Sequence, residues 1–274
     1  MFGGLGPCVK EAVGNMKEKK QKNILYLFIC SMIRLFYRKP RFEGTENIPD
    51  EPCVFVGNHT QMNGPIISEL YFPGKNSIWC AGQMMHWGEV AEYAFTDFWS
   101  FKPKIFHPFF RLLSWIITPL AVLIFNNAST VPVYHDTRLI TTFRRSIELL
   151  QEGRNMIIFP EKNKRYNNIL YDFQDKFVDL ARFYYKKTKK ALLFVPVYNA
   201  PKLHKTVIGK PVRFDPDAPI EQERERICRE MKDAITEMAA SLPEHTVIPY
   251  RNIPKRLYPK NIPIEVYTDE EAGS

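Results

Sequence analysis

A chain of 274 residues with 45% hydrophobic and 25% charged side chains can build one sizeable core, so disorder is not its default state. Its formal net charge of +8 suits an anionic partner: nucleic acid, a membrane surface or a phosphorylated substrate. The five cysteines, Cys8, Cys30, Cys53, Cys80 and Cys228, are odd in number, far apart and free of any C-x-x-C pair, which implies neither a disulfide framework nor a zinc site and fits a reducing, cytosolic side.

Residues 1–22 are rich in glycine and lysine and lead into the apolar run from Ile24 to Ile33, closed by Arg34, Arg38 and Lys39. The run is shorter than the roughly 18 to 20 residues of a spanning helix and lacks the small-residue cleavage site of a signal peptide. Residues 1–40 are expected to hold an amphipathic helix lying in a membrane interface with cations at both ends. An ordinary helix packed on the core is the alternative. Turn-rich residues 41–52 then precede Cys53-Val54-Phe55-Val56, which reads as a buried strand bounded by Pro52 and Gly57. Asn58 and His59 follow at its carboxyl end. Asn63, Gly64 and Pro65 suit the start of a helix running through Ile66, Ile67 and Leu70. A histidine between a strand end and a helix amino terminus is disfavoured as the imidazolium, so His59 is a general base by position, or else a hydrogen-bonded structural residue.

Residues 72–127 are strongly aromatic, and Leu112 to Phe125 is almost wholly apolar around Pro119. Most of that stretch is expected in the core, the alternative being an element that dips into lipid or lines an alkyl channel. From Val131 the pattern alternates. Strands are expected at 131–134, 156–159, 191–197 and 207–214, with helices on the periodic faces Leu139 to Leu150, Phe173 to Tyr184 and Ile227 to Leu242. This predicts a single α/β domain over 41–245, with a mixed, partly parallel sheet flanked by helices, and a Pro-rich tail over 246–274. Ligands of such sheets gather at strand carboxyl ends, where His59 and Pro160-Glu161 both fall.

Phe159 to Arg165 offers a carboxylate and three cations after a strand. Lys164 or Arg165 is suited to hold a phosphate while Glu161 accepts a hydrogen bond from a hydroxyl; a solvated turn is the plain alternative. Arg138, Arg144 and Arg145 follow the preceding strand, and at least one is placed to join. No dinucleotide fingerprint, phosphate loop or G-x-S-x-G elbow occurs, and the six histidines show no metal-ligand spacing.

In this order the pieces resemble the glycerolipid acyltransferase family, the lysophosphatidate acyltransferase-like enzymes, from about Phe42 to Phe214. FEGTENIP followed by VFVGNH resembles the family's first block, IIFPEKNKR its third, FVPV its fourth, and IGKPV the strand after it. The resemblance implies His59 as general base, with Asn58, Glu161, Lys164, Arg165 and Arg138 around the acceptor. It implies acyl transfer to a lysophospholipid hydroxyl, without a cofactor, from acyl-CoA or acyl carrier protein as thioester co-substrate. The implied setting is the cytoplasmic side of a membrane, peripheral or monotopic, with the lipid surface rather than nucleic acid as partner. The chain departs from the pattern at Gly64, where the family has the aspartate that orients the histidine, and at His135, Lys162 and Asn163. Asn63 is the nearest substitute, with a backbone carbonyl, Asp97 or Asp136 as others. Gly64 also keeps open a relative that binds lipid or thioester without transfer, and polyanion binding is a third, lesser alternative.

Overall fold

Runs of Val, Ile, Phe and Leu too short for helices form the spine of the protein. The computed structural model describes residues 22–100, 102–134 and 136–262. Helix α1 (Ile24–Phe36) precedes β1 (Arg41–Glu43), β2 (Cys53–Gly57), α2 (Asn63–Leu70) and β3 (Asn76–Ala81). Helix α3 (Trp87–Ala94) continues into a π-turn, Phe95–Trp99, and α4 (His107–Asn127) returns to β4 (Thr130–Val133). There follow α5 (Leu139–Gln151), β5 (Asn155–Ile158), the hairpin β6 (Glu161–Arg165) and β7 (Tyr171–Phe173), and α6 (Asp179–Thr188). Strands β8 (Leu193–Ala200), β9 (Lys205–Ile208) and β10 (Val212–Arg213) lead to α7 (Ile220–Ser241).

The main sheet runs β1-β9-β8-β2-β5-β3-β4, with β10 also on β8. Its five central strands are parallel, β9 and β10 are antiparallel to β8, and the fold is the expected mixed α/β sheet flanked by helices. Strand β2 lies at the centre, with Val54 opposite Met156 on one side and Phe194 on the other. A strand covered on both faces must be apolar at every position, and all five residues of β2 are buried. Val54 and Val56 face a layer built from Ile147 of α5, Leu180 of α6 and Ile227, Met231 and Ile235 of α7. Cys53 and Phe55 point the opposite way, toward Phe42 and Phe72, as the two-residue period of a strand requires. That alternation fixes the register, and with it the height at which His59 emerges.

Four expectations are corrected. The stretch Leu112 to Phe125 is not core: within α4 only Ser114, Thr118 and Ala121 are buried, whereas Phe109, Leu112, Trp115 and Ile116 are exposed. Ala121 packs against Val90 and Met84, with Val122 and Phe125 partly buried on the same cluster. Lys104–Asn127 is 24 residues of hydropathy 1.8, long and apolar enough to cross a membrane by length and composition, with 17% of its most apolar window buried. The run from Glu161 to Arg165 is not a loop but strand β6, with Glu161 opposite Phe173 and Arg165 opposite Tyr171. Residues 246–262 are no free tail: Val247 N–H donates to Pro259 O at 2.9 Å and Asn261 Nδ2 to Ala239 O at 2.8 Å. The helix expected from Phe173 begins only at Asp179, after a 3₁₀ turn over Asp175–Val178. Residues 1–21 and 263–274 lie outside the described residues.

Helix α1 takes its place through polar ties at its amino end. Asn23 Oδ1 caps it by accepting from Leu25 N–H at 2.8 Å, and Asn23 N–H donates to Asn127 Oδ1 of α4 at 3.0 Å. Half-buried Glu69 accepts from Tyr26 Oη and from Ser129 N–H, tying α1, α2 and the start of β4 together.

Because Phe55 is fully buried in the central strand, Phe55→Ala is expected to lower unfolding free energy by about 3–5 kcal/mol, read from urea denaturation. A loss under 1 kcal/mol would contradict the packing described.

Candidate functional site

The candidate site starts where β2 ends. Asn58 is buried, and its amide is spent on the neighbouring strand: Asn58 Nδ2 donates to Asn199 O at 3.0 Å and Asn58 Oδ1 accepts from Asn199 N–H at 2.7 Å. Thr206 Oγ1 donates to Asn199 Oδ1 at 3.1 Å, closing the clip. Asn58 is therefore framework, joining the ends of β2 and β8, and not the substrate contact expected of it.

After Asn58 the backbone makes an elbow. Thr60 and Gln61 both sit in the left-handed region, at φ 47° and 54°. For non-glycine residues, a β-branched one above all, such conformations cost of order 1–3 kcal/mol each and persist only where surroundings impose them. The imposed contacts are visible. Thr60 Oγ1 accepts from Gly64 N–H at 3.0 Å, so Thr60, not Asn63, serves the amino end of α2. Thr60 O accepts from Asn63 Nδ2 at 2.9 Å, and Asn63 Oδ1 accepts from Tyr37 Oη at 2.9 Å. Both ends of the Asn63 amide are thus engaged away from the imidazole, and the expectation that Asn63 orients His59 is not met.

The elbow is held from the other side by Glu161. Its Oε1 accepts from His59 N–H at 2.6 Å and its Oε2 from Tyr171 N–H at 2.9 Å. With 3% exposure this carboxyl clamps two backbone segments instead of presenting itself to an acceptor hydroxyl. Burial pushes its pKa up to about 7, opposed by the two N–H donors, which favour the carboxylate. Burial likewise pulls the pKa of His59 down to about 4, so the imidazole is neutral at pH 7 through desolvation.

His59 Nδ1 is buried and has no hydrogen-bond partner among the described residues. The ring has aromatic neighbours: Phe159, with centroids 5.3 Å apart, and Tyr250, at 5.7 Å. Tyr250 in turn meets Tyr171 at 5.8 Å. Gln61 Nε2 donates to Tyr258 Oη at 2.9 Å, which fastens the carboxyl-terminal segment over the elbow. At Gly64 there is no room for a side chain: a Cβ there would meet His59 O at 2.7 Å and a Phe159 ring carbon at 2.9 Å.

The remaining expected residues divide. Arg165 reaches the rim of the cluster, its guanidinium 6.0 Å from the centroid of the Tyr171 ring. Lys164 is exposed on β6 beside it, and Lys162 pairs with Asp172 at 3.0 Å. Arg138 does not join them. It binds Asp136, with Nη2 to Oδ2 at 2.8 Å, and lies 3.9 Å over the Tyr134 ring. Asp136 is thereby engaged on the surface and is no partner for His59. Asp97, in the π-turn after α3, has its carboxyl pKa raised by burial, and burial together with the Asp97 charge raises the Tyr93 and Tyr250 phenols. Sequence reasoning missed Thr60, Tyr171 and Tyr250. Tyr250 had only one weak signal, an Ile-Pro-Tyr apolar patch inside a polar, Pro-rich segment.

No protein-family model and no curated protein matches the chain. Among solved structures it is similar to the 1-acyl-sn-glycerophosphate acyltransferase PlsC from Thermotoga maritima, with TM-score 0.41 and 18% sequence identity over 84% of this chain and 88% of that one. At that level the likeness assigns no residue a role.

The crowding at Gly64 predicts that Gly64→Ala loses about 1–3 kcal/mol of stability and that Gly64→Asp, which adds a buried charge, loses more. A Gly64→Asp protein that unfolds at the same denaturant concentration as the parent would overturn this account.

His59 and Glu161 also set opposing pH dependences. His59, lowered from 6.5 to about 4, contributes stability above pH 6.5 that is lost as pH falls toward 4. Glu161, raised from 4.5 to about 7, contributes stability below pH 4.5 that is lost as pH rises toward 7. The two offset each other in the parent between those limits. Glu161→Gln removes one of them, so its stability should climb from pH 4.5 to 6.5 more steeply than that of the parent. Parallel urea-midpoint curves for the two proteins would refute the assignment.

Proposed function

We propose that the protein transfers a fatty acyl group from a thioester, acyl-CoA or acyl carrier protein, to a hydroxyl of a lysophospholipid such as lysophosphatidate. The supporting observation is a neutral, partly accessible imidazole on a strained elbow at the carboxyl end of the central strand, clamped by Glu161. Strain maintained by surrounding contacts is a mark of functional sites. With Nδ1 buried, Nε2 is the nitrogen left to face a substrate.

In this reading His59 Nε2 takes the proton of the acceptor hydroxyl as its oxygen attacks the thioester carbonyl. Collapse of the tetrahedral intermediate breaks the C–S bond, and the thiolate leaves with the proton from the imidazolium. No covalent acyl-enzyme forms. Arg165, at the rim beside Tyr171, takes the acceptor phosphate with Lys164 next to it on β6, and Glu161 acts by positioning. A base with pKa about 4 pulls weakly on a hydroxyl proton, and no carboxylate faces the ring to stabilise the imidazolium, so turnover is slow.

The lipid partner would meet the protein on α1 and α4. Leu25, Phe28, Leu35 and Phe36 of α1 and Phe109, Leu112, Trp115 and Ile116 of α4 are exposed, and Asn23 joins the two helices. Each such side chain gains about 1.5–3 kcal/mol on full burial, which a water-facing surface forgoes. Lys102, Lys104, Arg34, Arg38 and Lys39 supply cations for a cytoplasmic leaflet.

A second reading, binding of lipid or thioester without transfer, is favoured by the closed space at Gly64 and the partnerless Nδ1. Assay of acyl transfer from acyl-CoA and acyl carrier protein to lysophosphatidate and other lysolipids in vesicles separates the two. Transfer reduced about 10²–10⁴-fold in His59→Ala supports the first. A folded, lipid-bound parent with no transfer to any acceptor supports the second.

A further inference from the structure

The main sheet has a second cluster of charge away from His59. Where α1 ends, residues 38–41 run alongside the turn that opens β9. Arg41 N–H donates to His204 O at 2.8 Å, and the parallel pairing of β1 with β9 sets Arg41 opposite Lys205. Between them lies a cleft of about 350 Å³ lined by Arg38, Lys39, Arg41, His204 and Lys205. Among the described residues Glu43 is the single carboxylate paired here, 3.5 Å from Arg41 and 3.0 Å from Lys205. Arg38 and Lys39 are exposed and have no ion pair among the described residues. His204 is held left-handed at φ 49°, keeping its carbonyl on Arg41 and its ring at the cleft. Four fixed cations around one carboxylate repel one another unless an anion joins them.

We propose that this cleft binds the phosphate of an anionic membrane lipid, a docking site separate from the Lys164 and Arg165 rim. It lies on the β1 and β9 edge, two strands from β2. The source is a lipid headgroup because the cleft continues the apolar face of α1: Leu35 and Phe36, 72% and 81% exposed, come directly before Tyr37 and Arg38. A helix lying in the acyl boundary places the next cations at headgroup height. The inference rests on the membrane reading but is independent of acyl transfer.

The test is sedimentation of the full chain with vesicles of phosphatidylcholine alone or with added phosphatidate, comparing the parent, Arg38→Glu/Lys39→Glu, and a control of equal charge change, Lys186→Glu/Lys187→Glu, on exposed positions of α6. Thermal unfolding checks that all three fold alike, and Arg38→Gln/Lys39→Gln serves if the reversal does not fold. The parent should prefer phosphatidate vesicles, and the cleft variant should lose at least about tenfold of that preference while the control retains most of it. Equal losses in the two variants would mean diffuse charge and overturn the site. Release by millimolar inorganic phosphate would assign it to a free anion and overturn the lipid source. A parent that sediments with neither vesicle would sink both the membrane reading and this proposal, whereas failure of acyl transfer alone would leave the cleft standing.

Discussion

The carboxyl of Glu161, buried between His59 N–H and Tyr171 N–H, is the contact on which the site's geometry depends. It joins the end of the central strand to the β6–β7 hairpin, two pieces of chain with no backbone pairing between them. Hydrogen bonds from backbone amides to a carboxylate are among the stronger neutral-to-charged kind, and at low dielectric the loss of either partner leaves the other uncompensated. Everything around His59 inherits its position from this clamp: the left-handed elbow, the seating of Phe159, and the Tyr171 ring on which Tyr250 rests.

The same burial that makes the clamp effective weakens the imidazole as a base. Desolvation lowers its affinity for a proton, and the backbone groups of Gln61 and His59 restore only part of it. Space decides this as much as chemistry. At Gly64 the backbone of Asn58 and His59 and the edge of Phe159 fill the volume a side chain would need. An orienting group has to approach from another direction, and the nearest side chains there are aromatic.

The central strands were legible because each is a short, wholly apolar run, and burial on both faces demands that pattern. The placement of α4 was not, since an apolar helix satisfies a core and a lipid phase equally well and composition does not separate them. Strand β6 was hidden by its composition, Glu-Lys-Asn-Lys-Arg, because strands of a two-stranded ribbon owe their form to cross-strand bonds and carry little apolar signal. Asn58 and Glu161 were legible as polar groups at strand ends but not in their duties. Their partners are 141 and 102 residues away in sequence, beyond the reach of local spacing. Tyr250 is the plainest case, an aromatic in a Pro-rich stretch whose purpose emerges only when that stretch folds back.

That fold-back has a consequence for the order of assembly. A polypeptide emerges from the ribosome amino end first, at about 5–20 residues per second, and elements pair as their partners become available. The sheet from β1 to β10 and helix α7 can associate before Tyr250 has left the exit tunnel. Until that last segment closes, the His59 ring lacks the Tyr250 face that lies 5.7 Å from it in the folded protein.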